Sequence, residues 1–325
     1  MRAVALAAAL AAGSAAFPGA AAAEPSADAI AWLQRIYRST ERLSYTGRFV
    51  YQHGEQVETS RITRIVDASG VHERLEALDG TPREIIRVND EVKCYLPQTM
   101  TLKVERQLDT TPFPAMRADA RELAEHYNIR KGETERIAGY DCQAIILEPK
   151  DKLRYGHKLW ADLATGMLVK AKTFNEKNEV VEQFAFTQLQ IGGRIERDQV
   201  KSRFAGKGRD WRVERAGIVA ANLASDGWLL GALPAGYRKV TEMKRNVGAS
   251  ADVGHIVLSD GLAAVSVFIE PLAARPSLGP LGLSRQGAVN VFTRTLDRYL
   301  VTVVGEVPAE SVKRIAHTLE YRRPH

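Results

Sequence analysis

The sequence predicts a mostly β, α+β protein in which a large, curved antiparallel sheet is followed by a small α+β domain. Three observations lead to this prediction. Strand-like runs follow one another closely between residues 45 and 191, the pattern weakens over residues 201–225, and an apolar hairpin with a terminal helix comes after residue 226. The length of 325 residues also suits about two domains.

The N-terminus has the composition of a secretory signal peptide. Arg2 supplies a basic start, a short run of Ala and Leu follows, and small residues precede Glu24. We therefore expect a signal peptide over residues 1–23, cleaved after Ala23, and export of a soluble protein. An uncleaved N-terminal anchor is the alternative. The first cysteine is Cys94, which excludes a lipid-modified cysteine at the cleavage site.

The large sheet is predicted to follow one amphipathic helix. Ile30, Leu33 and Tyr37 recur at helical spacing within residues 27–42, and from Tyr45 the period changes to two. Further strands are predicted at residues 61–66, 71–77, 84–88, 92–96 and 99–105, and, after a short helix at 115–126, from 127 to 191. Their short connections require antiparallel neighbours. About ten or eleven such strands predict a curved meander around an apolar interior.

A basic segment, residues 201–225, follows the sheet. We predict a linker between the domains here, with one edge strand at residues 200–204; a solvated run of charges is the alternative. The formal net charge of +6 favours anionic partners such as acidic peptides or phosphorylated lipid headgroups. Export makes nucleic acid the least favoured of these partners.

The small domain is predicted from an unusual hairpin over residues 255–270. The sequence Ser259-Asp260-Gly261 supplies the turn, and both faces of the strand that follows are apolar. Further strands at residues 237–243, 288–296 and 299–304 and a helix at 309–319 complete the predicted small α+β domain. The helix covers one face of the hairpin. The large domain, a second copy of the chain in a homo-oligomer, or another partner must cover the other face.

The sequence lacks the usual signatures of an enzyme or a metal site. Residues 248–252 come nearest to a nucleophile elbow, but its final glycine is missing. The seven histidines are scattered, and none is spaced three or four residues from another. We therefore expect a binding protein without a cofactor. A site assembled in space from distant residues is the alternative.

Two cysteines, Cys94 and Cys142, each lie in a strand-like run. In an oxidising compartment they are candidates for one disulfide. Two buried thiols are the alternative, and the sequence does not decide between them.

Several segments of the second half resemble the RseB/MucB family of periplasmic regulators. The segments are Trp228-Leu229, Leu-Pro-Ala-Gly-Tyr at 233–237, and residues 258–263, 266–270, 287–291 and 301–308. The first half resembles, in pattern, carriers of outer-membrane lipoproteins. The resemblance implies a half-open β-barrel that senses lipid over residues 24–200, a basic linker over 201–225 and a small α+β domain over 226–325.

The family resemblance also implies a function. Members bind the periplasmic segment of a single-span anti-sigma factor and shield it from the protease that begins its destruction. Lipopolysaccharide or a related anionic lipid weakens the binding of that segment. Binding of the lipid and binding of the segment are therefore thermodynamically linked. A periplasmic lipid or lipoprotein carrier is the alternative, and the small domain is the main argument against it.

No ligand-contacting motif transfers residue by residue, so the candidate sites come from residue type and position. Aromatic character and strand position nominate Trp32, Phe49, Tyr51 and Trp160 for the lipid cavity, with ordinary core packing as the alternative. Arg203, Lys207, Arg209 and Arg212 are candidates for contacts to a headgroup or an acidic peptide. The candidate partner surface comprises Arg209, Arg212, Arg215, Trp228, Leu230, Ser266 and Phe268.

Overall fold

The computed structural model of the protein describes residues 27–106, 120–206, 211–215, 217–247, 250–274 and 279–323. The expected signal peptide, Lys207 and Arg209 lie outside these residues. Within the described ranges no helix is long and apolar enough to cross a membrane.

The large domain begins with helix α1 (Ala27–Arg42), which buries Ala29, Leu33 and Ile36 in the apolar cluster beneath it. The predicted helix is thus confirmed. The elements that follow are β1 (Tyr45–His53), β2 (Gln56–Asp67), β3 (Gly70–Ala77), β4 (Glu84–Val88), β5 (Glu91–Leu96), β6 (Thr101–Arg106), α2 (Ala120–His126), β7 (Tyr127–Ile137), β8 (Tyr140–Pro149), β9 (Gly156–Asp162), β10 (Leu168–Phe174), β11 (Val180–Ile191) and β12 (Arg212–Arg215).

These strands form one sheet in the order β12-β6-β5-β4-β3-β2-β1-β11-β10-β9-β8-β7. Strand β1 pairs with β2 on one side and with β11 on the other. The run β2 to β6 is thereby joined to the run β7 to β11 within one curved sheet. The edge strands β7 and β12 do not pair with each other in the described structure, so the barrel is half-open. The mostly β fold class predicted from the sequence is confirmed.

The basic segment differs from its prediction. Residues 200–204 do not form the expected edge strand; a short 3₁₀ turn, Arg197–Val200, ends at its first residue and further turns follow. The edge strand comes later as β12, which runs parallel to β6. A parallel partner is possible here because a long connection separates β6 from β12. The segment is therefore partly built into the large sheet rather than being a simple linker.

The small domain contains β13 (Ile218–Ala220), β14 (Trp228–Leu230), β15 (Arg238–Val247), β16 (Ser250–Ser259), β17 (Ala264–Pro271), β18 (Gly282–Gln286), β19 (Val289–Leu296), β20 (Tyr299–Gly305), α3 (Ala309–Thr318) and β21 (Leu319–Tyr321). Its main sheet has seven described strands in the order β13-β15-β16-β17-β20-β19-β18, two more than the strands predicted from the sequence. The added edge strands β13 and β18 are short and largely exposed, which leaves little hydrophobic alternation to detect.

The predicted hairpin is confirmed as β16 and β17. Val265, Val267 and Ile269 point into the core of the small domain, where Val312 and Ile315 of α3 pack against the same cluster. The opposite face of β17 is only half-buried at Ser266 and Phe268. One face of the strand is therefore core, as expected.

The two cysteines are free. Cys94 lies half-buried in β5 and Cys142 lies buried in β8. Seven strands separate β5 from β8 in the order of the sheet. The structure therefore contains two separate thiols rather than the disulfide that the sequence left open.

Candidate ligand cavities and the domain interface

The large domain encloses a cavity of about 440 Å³, a size typical of small-ligand sites. Strands β1, β2, β3 and β11 supply most of its wall. Leu168, the first residue of β10, and Met167 in the turn before it also line the cavity. Glu306 of the small domain completes the lining. The cavity therefore belongs chiefly to the barrel but touches the neighbouring domain.

Aromatic rings from two paired strands form the apolar wall of this cavity. Phe49 of β1 lies 5.0 Å from Phe184 and 5.9 Å from Phe186 of β11, measured between ring centroids. Tyr45 meets Phe186 edge to face at 6.0 Å. Gly47 makes this packing possible, because a Cβ atom there would come within 2.7 Å of the Phe186 ring. The wall suits an apolar chain.

The polar part of the cavity lining includes four carboxylates, those of Glu58, Glu73, Glu182 and Glu306. Arg83 pairs with Glu58 at 3.3 Å, and Arg64 pairs with Glu73 at 2.8 Å. Tyr51 donates a hydrogen bond of 2.7 Å to Glu182. Burial and the Glu182 carboxylate raise the pKa of Tyr51 far above its usual value, so its hydroxyl stays protonated. An anionic group would meet carboxylates here, whereas an uncharged chain would meet the aromatic wall.

A second cavity, also of about 440 Å³, lies between the two domains. The large domain contributes His157, Leu159, Ala171 and Thr173, and the small domain contributes residues of β17, β19 and β20 and the turn before β17. Glu182, Phe184 and Glu306 line both cavities. The two cavities are therefore adjacent and share one wall; below they are called the barrel cavity and the interdomain cavity.

A buried polar cluster holds the domains together beside the interdomain cavity. The Arg154 guanidinium of the large domain lies 3.2 Å from the Asp260 carboxylate of the small domain, and both side chains are fully buried. Tyr127 also reaches Asp260, at 3.3 Å. The Leu153 carbonyl accepts hydrogen bonds from Tyr237 at 2.9 Å and from Ser311. Residues 153–155 therefore form the main attachment point of the small domain.

Two of the four predicted cavity residues line the barrel cavity, namely Phe49 and Tyr51. Trp160 is buried in the core, with the Lys158 and Lys170 ammonium groups 4.6 and 4.5 Å from its ring centre. Trp32 lies on α1 and packs against the apolar cluster beneath the helix, with Arg35 over its ring. The two tryptophans therefore lie outside the cavity. This agrees with the alternative that they belong to ordinary core packing.

Sequence reasoning missed Phe184 and Phe186. Both lie on β11 two residues apart, and Glu182 extends the same alternation. That spacing was visible in the sequence, but the pairing of β11 with β1, which brings these rings onto Phe49, depends on long-range topology. A search for aromatic residues alternating on the last strand of the meander would have found them.

The structure places the predicted partner residues in separate surroundings. Trp228 is buried, with Tyr299 and Tyr321 at 4.9 and 4.7 Å, and Leu230 packs against the same core. Ser266 lines the interdomain cavity. Phe268 stacks on the buried His255 ring at 4.4 Å.

The arginines predicted to contact a headgroup or a partner also lie in different surroundings. Arg212 and Arg215 are exposed on the edge strand β12, and Arg212 pairs with Glu214 at 2.7 Å. Arg203 makes ion pairs with Glu76 and Glu84 of the barrel. Among the described residues no group of three or more His, Cys, Asp or Glu side chains is arranged to hold a metal ion.

Two family models match the chain in succession. The MucB/RseB N-terminal domain matches residues 28–204, and the MucB/RseB C-terminal domain matches residues 222–320. The chain belongs to the MucB/RseB family. The resemblance stated from the sequence is thereby confirmed, and the match covers both domains.

Individual relatives agree with the family models. The chain is 33% identical over 300 residues to the sigma factor AlgU regulatory protein MucB of Pseudomonas aeruginosa, covering 90% of each chain. It is 24% identical over 313 residues to the sigma-E factor regulatory protein RseB of Escherichia coli K12, covering 95% of each.

Solved structures of MucB have the same overall arrangement. The Pseudomonas aeruginosa MucA/MucB complex matches with a TM-score of 0.71 and 29% identity, covering 92% of this chain and 100% of that chain. A structure of MucB in complex with MucA(peri) matches with a TM-score of 0.69 and 30% identity, covering 91% and 100%. The similarity therefore extends over both domains, not over the barrel alone.

Proposed function

We propose that this chain is a periplasmic regulator of a sigma factor, which binds the periplasmic segment of a single-span anti-sigma factor and protects it from regulated proteolysis. The observation that supports this most is the family match over both domains. Similar proteins are named sigma factor regulatory proteins, and similar structures contain MucB together with MucA. On this proposal the chain acts by binding and needs neither a cofactor nor catalysis.

The proposed location is the periplasm, reached with a signal peptide that is cleaved after Ala23. The basic start, the short apolar run and the small residues before Glu24 support export. Mass spectrometry of the protein recovered from a periplasmic extract tests the cleavage site. Recovery only from the membrane fraction, with the first residues intact, would contradict it.

We further propose that the barrel cavity accepts an alkyl chain of a lipid signal such as lipopolysaccharide. The aromatic wall around Phe49 and Phe184 provides apolar contact, while Glu58, Glu73 and Glu182 disfavour an anionic headgroup inside the cavity. The headgroup therefore stays at the barrel surface. Lipid weakens partner binding only if the lipid-loaded form has the lower affinity for the anti-sigma segment.

The decisive experiment measures binding of the mature chain to the purified periplasmic segment of the anti-sigma factor encoded in the same genome. Binding, and slower cleavage of the bound segment by the protease that begins its destruction, are the expected results. Added lipopolysaccharide should release the segment. No binding at micromolar concentrations of both proteins would contradict the proposal.

The partner surface is proposed to include Arg212 and Arg215 of β12, together with Arg209, which lies outside the described residues. Exposure of Arg212 and Arg215 at a sheet edge supports a contact with an acidic segment. The double variant Arg212→Glu/Arg215→Glu should weaken binding. Arg136→Glu, an equally exposed charge on β7 at the opposite edge, is the matched control and should bind normally. Equal affinities for all three proteins would exclude this surface.

A lipid or lipoprotein carrier is the second candidate, because a half-open barrel with an aromatic cavity also suits that role. Capture from a solubilised envelope fraction separates the two. Recovery of an anti-sigma factor that is released by lipopolysaccharide supports the regulator. Recovery of lipid-modified proteins in its place supports the carrier.

A further inference from the structure

The outer face of the barrel wall bears a group of basic side chains that the proposed function does not use. Leu159 of β9 and Ala171 of β10 line the interdomain cavity. Because successive side chains of a strand point to opposite faces, the residues that alternate with these two point away from the cavity. The outward residues include Lys158, Trp160, Lys170 and Lys172.

Arg48 of β1 extends this outer surface. The residues on either side of it, Gly47 and Phe49, face the aromatic wall of the barrel cavity, so Arg48 points outward. Strand β11 lies between β1 and β10. Since neighbouring strands are about 4.8 Å apart, the group spans about 14 Å from β9 to β1. Below, the outer basic patch means Arg48, Lys158, Lys170 and Lys172.

The pairing of β9 with β10 brings like charges together within the patch. Lys158 lies directly opposite Lys172, and Lys170 lies opposite Trp160. Like charges that are directly opposite in an antiparallel pair destabilise the sheet. Burial, Lys172 and Lys158 lower the pKa of Lys170, and Glu135 offsets them only in part. An anionic neighbour would relieve this repulsion.

The positive charge of the patch is poorly compensated within the chain. Lys158 pairs with Glu135 at 3.4 Å, and among the residues that the structure describes this is the only ion pair made by the four side chains. The ammonium groups of Lys158 and Lys170 lie over the ring of Trp160, 4.6 and 4.5 Å from its centre. These contacts hold the lysines at the surface without neutralising them.

The shape of the patch favours a flat partner. None of its four residues lines the barrel cavity or the interdomain cavity. Side chains on one face of a sheet stand roughly perpendicular to it, so the four cations lie side by side rather than converging on a pocket. An anionic bilayer presents a plane of phosphate headgroups that attracts Lys and Arg without a pocket.

An acidic protein segment fits this face less well. Protein contacts usually depend on a few large apolar or aromatic anchors at their centre. In the middle of the patch β11 presents Gln183 and Ala185 outward, because Glu182 and Phe184 face the cavities. Strand β11 therefore offers no large apolar anchor between the lysines and Arg48.

We propose that the outer basic patch docks this chain onto an anionic bilayer surface, with the phosphate headgroups facing Arg48, Lys158, Lys170 and Lys172. Both cavities lie on the other side of the same wall, so docking leaves them clear of the membrane contact. This goes beyond the proposed regulatory function, because docking needs no anti-sigma segment. Failure of the docking proposal would leave that function untouched.

The first test is co-sedimentation of the mature chain with vesicles. Vesicles of phosphatidylcholine that contain phosphatidylglycerol should sediment the wild type, whereas vesicles of phosphatidylcholine alone should not. Raising the salt concentration from about 0.05 to about 0.5 M should abolish the binding, because salt screens exposed charges. Equal sedimentation with both kinds of vesicle, or with neither, would overturn the proposal.

Charge reversal then locates the contact. The triple variant Lys158→Glu/Lys170→Glu/Lys172→Glu should bind the anionic vesicles at least about tenfold more weakly than the wild type, because each of these cations contributes to the attraction. If this variant kept its vesicle binding and lost affinity for the anti-sigma segment, the patch would be a protein contact and the proposal would be wrong.

A second triple variant controls for net charge. Arg194→Glu/Arg314→Glu/Arg322→Glu changes the charge of the chain by the same amount at exposed positions outside the patch. It should bind the anionic vesicles nearly as well as the wild type. Equal losses for the two triple variants would show that net charge alone attracts the chain, which contradicts a defined docking surface.

A footprint of the wild-type chain does not depend on the folding of any variant. Acetylation of lysines, followed by mass spectrometry, should slow at Lys170 and Lys172 when anionic vesicles are present. Lys103, an exposed lysine of β6 on the distant side of the sheet, is the internal control and should react at an unchanged rate. Equal protection of all three lysines, or protection of none, would overturn the proposal.

Discussion

At Asp260 a single carboxylate serves both a turn and the domain interface. One oxygen accepts hydrogen bonds from the backbone N–H groups of Leu262 and Ala263, at 3.0 and 2.9 Å. The other oxygen faces Arg154 and Tyr127 of the large domain. The turn role was predictable, because Asp commonly bonds its own backbone in turns. The interdomain role was not, since nothing local to Asp260 points to Arg154.

Replacing Asp260 should therefore destabilise the whole protein. Asp260→Ala removes one of the two carboxylates that pair with the buried Arg154 guanidinium, and breaking a buried pair costs about 3–5 kcal/mol. Urea unfolding should show a clearly lower midpoint. Glu310→Ala, which removes one partner of an exposed pair with Arg314, is the control and should leave the midpoint nearly unchanged. Similar midpoints for the two variants would show that the buried pair contributes little.

The two thiols should be unreactive in the folded protein. Burial raises the pKa of Cys142 to about 11, and burial also raises that of Cys94. A raised pKa leaves little thiolate at neutral pH, and the thiolate is the reactive form. Ellman's reagent should therefore react slowly with the native chain and should detect two thiols after unfolding without a reductant. Detection of none would mean that a disulfide forms after all.

Among the elements, β1 was predictable in part. The alternation of residues from Tyr45 to Tyr51 correctly placed Phe49 and Tyr51 on one face, because the period of a strand is two. The irregular pairing with β11 at Arg48 and Phe49 left no mark in the sequence of β1. The tryptophans were placed wrongly for a related reason: residue type suggests a ligand site, but only topology shows which aromatic rings meet.

The aromatic face of β1 should determine affinity for apolar chains. Phe49→Ala removes a ring from the cavity wall and should weaken binding about tenfold, since burying such a side chain contributes roughly 1.5–3 kcal/mol. Trp32→Ala removes a larger ring that lies outside the cavity and is the matched control. Displacement of the fluorescent probe N-phenyl-1-naphthylamine by lauric acid measures both. A greater loss with Trp32→Ala would exclude the barrel cavity as the binding site.

For the molecule as a whole, the order of the domains along the chain was easier to predict from the sequence than the residues through which the domains contact each other. The meander, the basic segment and the apolar hairpin all follow from local patterns. The contact depends on pairs such as Arg154 with Asp260, which are far apart in sequence and whose partners local patterns do not identify. The question of what covers the second face of β17 is answered in part by the large domain, because Ser266 lines the interdomain cavity.

A contact of this kind should make the two domains unfold together. Arg154, Asp260 and Tyr127 are buried at the interface, and the Leu153 carbonyl binds both Tyr237 and Ser311, so separating the domains would leave several polar groups without partners. Calorimetry of the wild type should show one transition. Tyr237→Phe combined with Ser311→Ala removes both bonds to Leu153 and should lower or split that transition. Two well-separated transitions in the wild type would show instead that the buried cluster does not couple the domains.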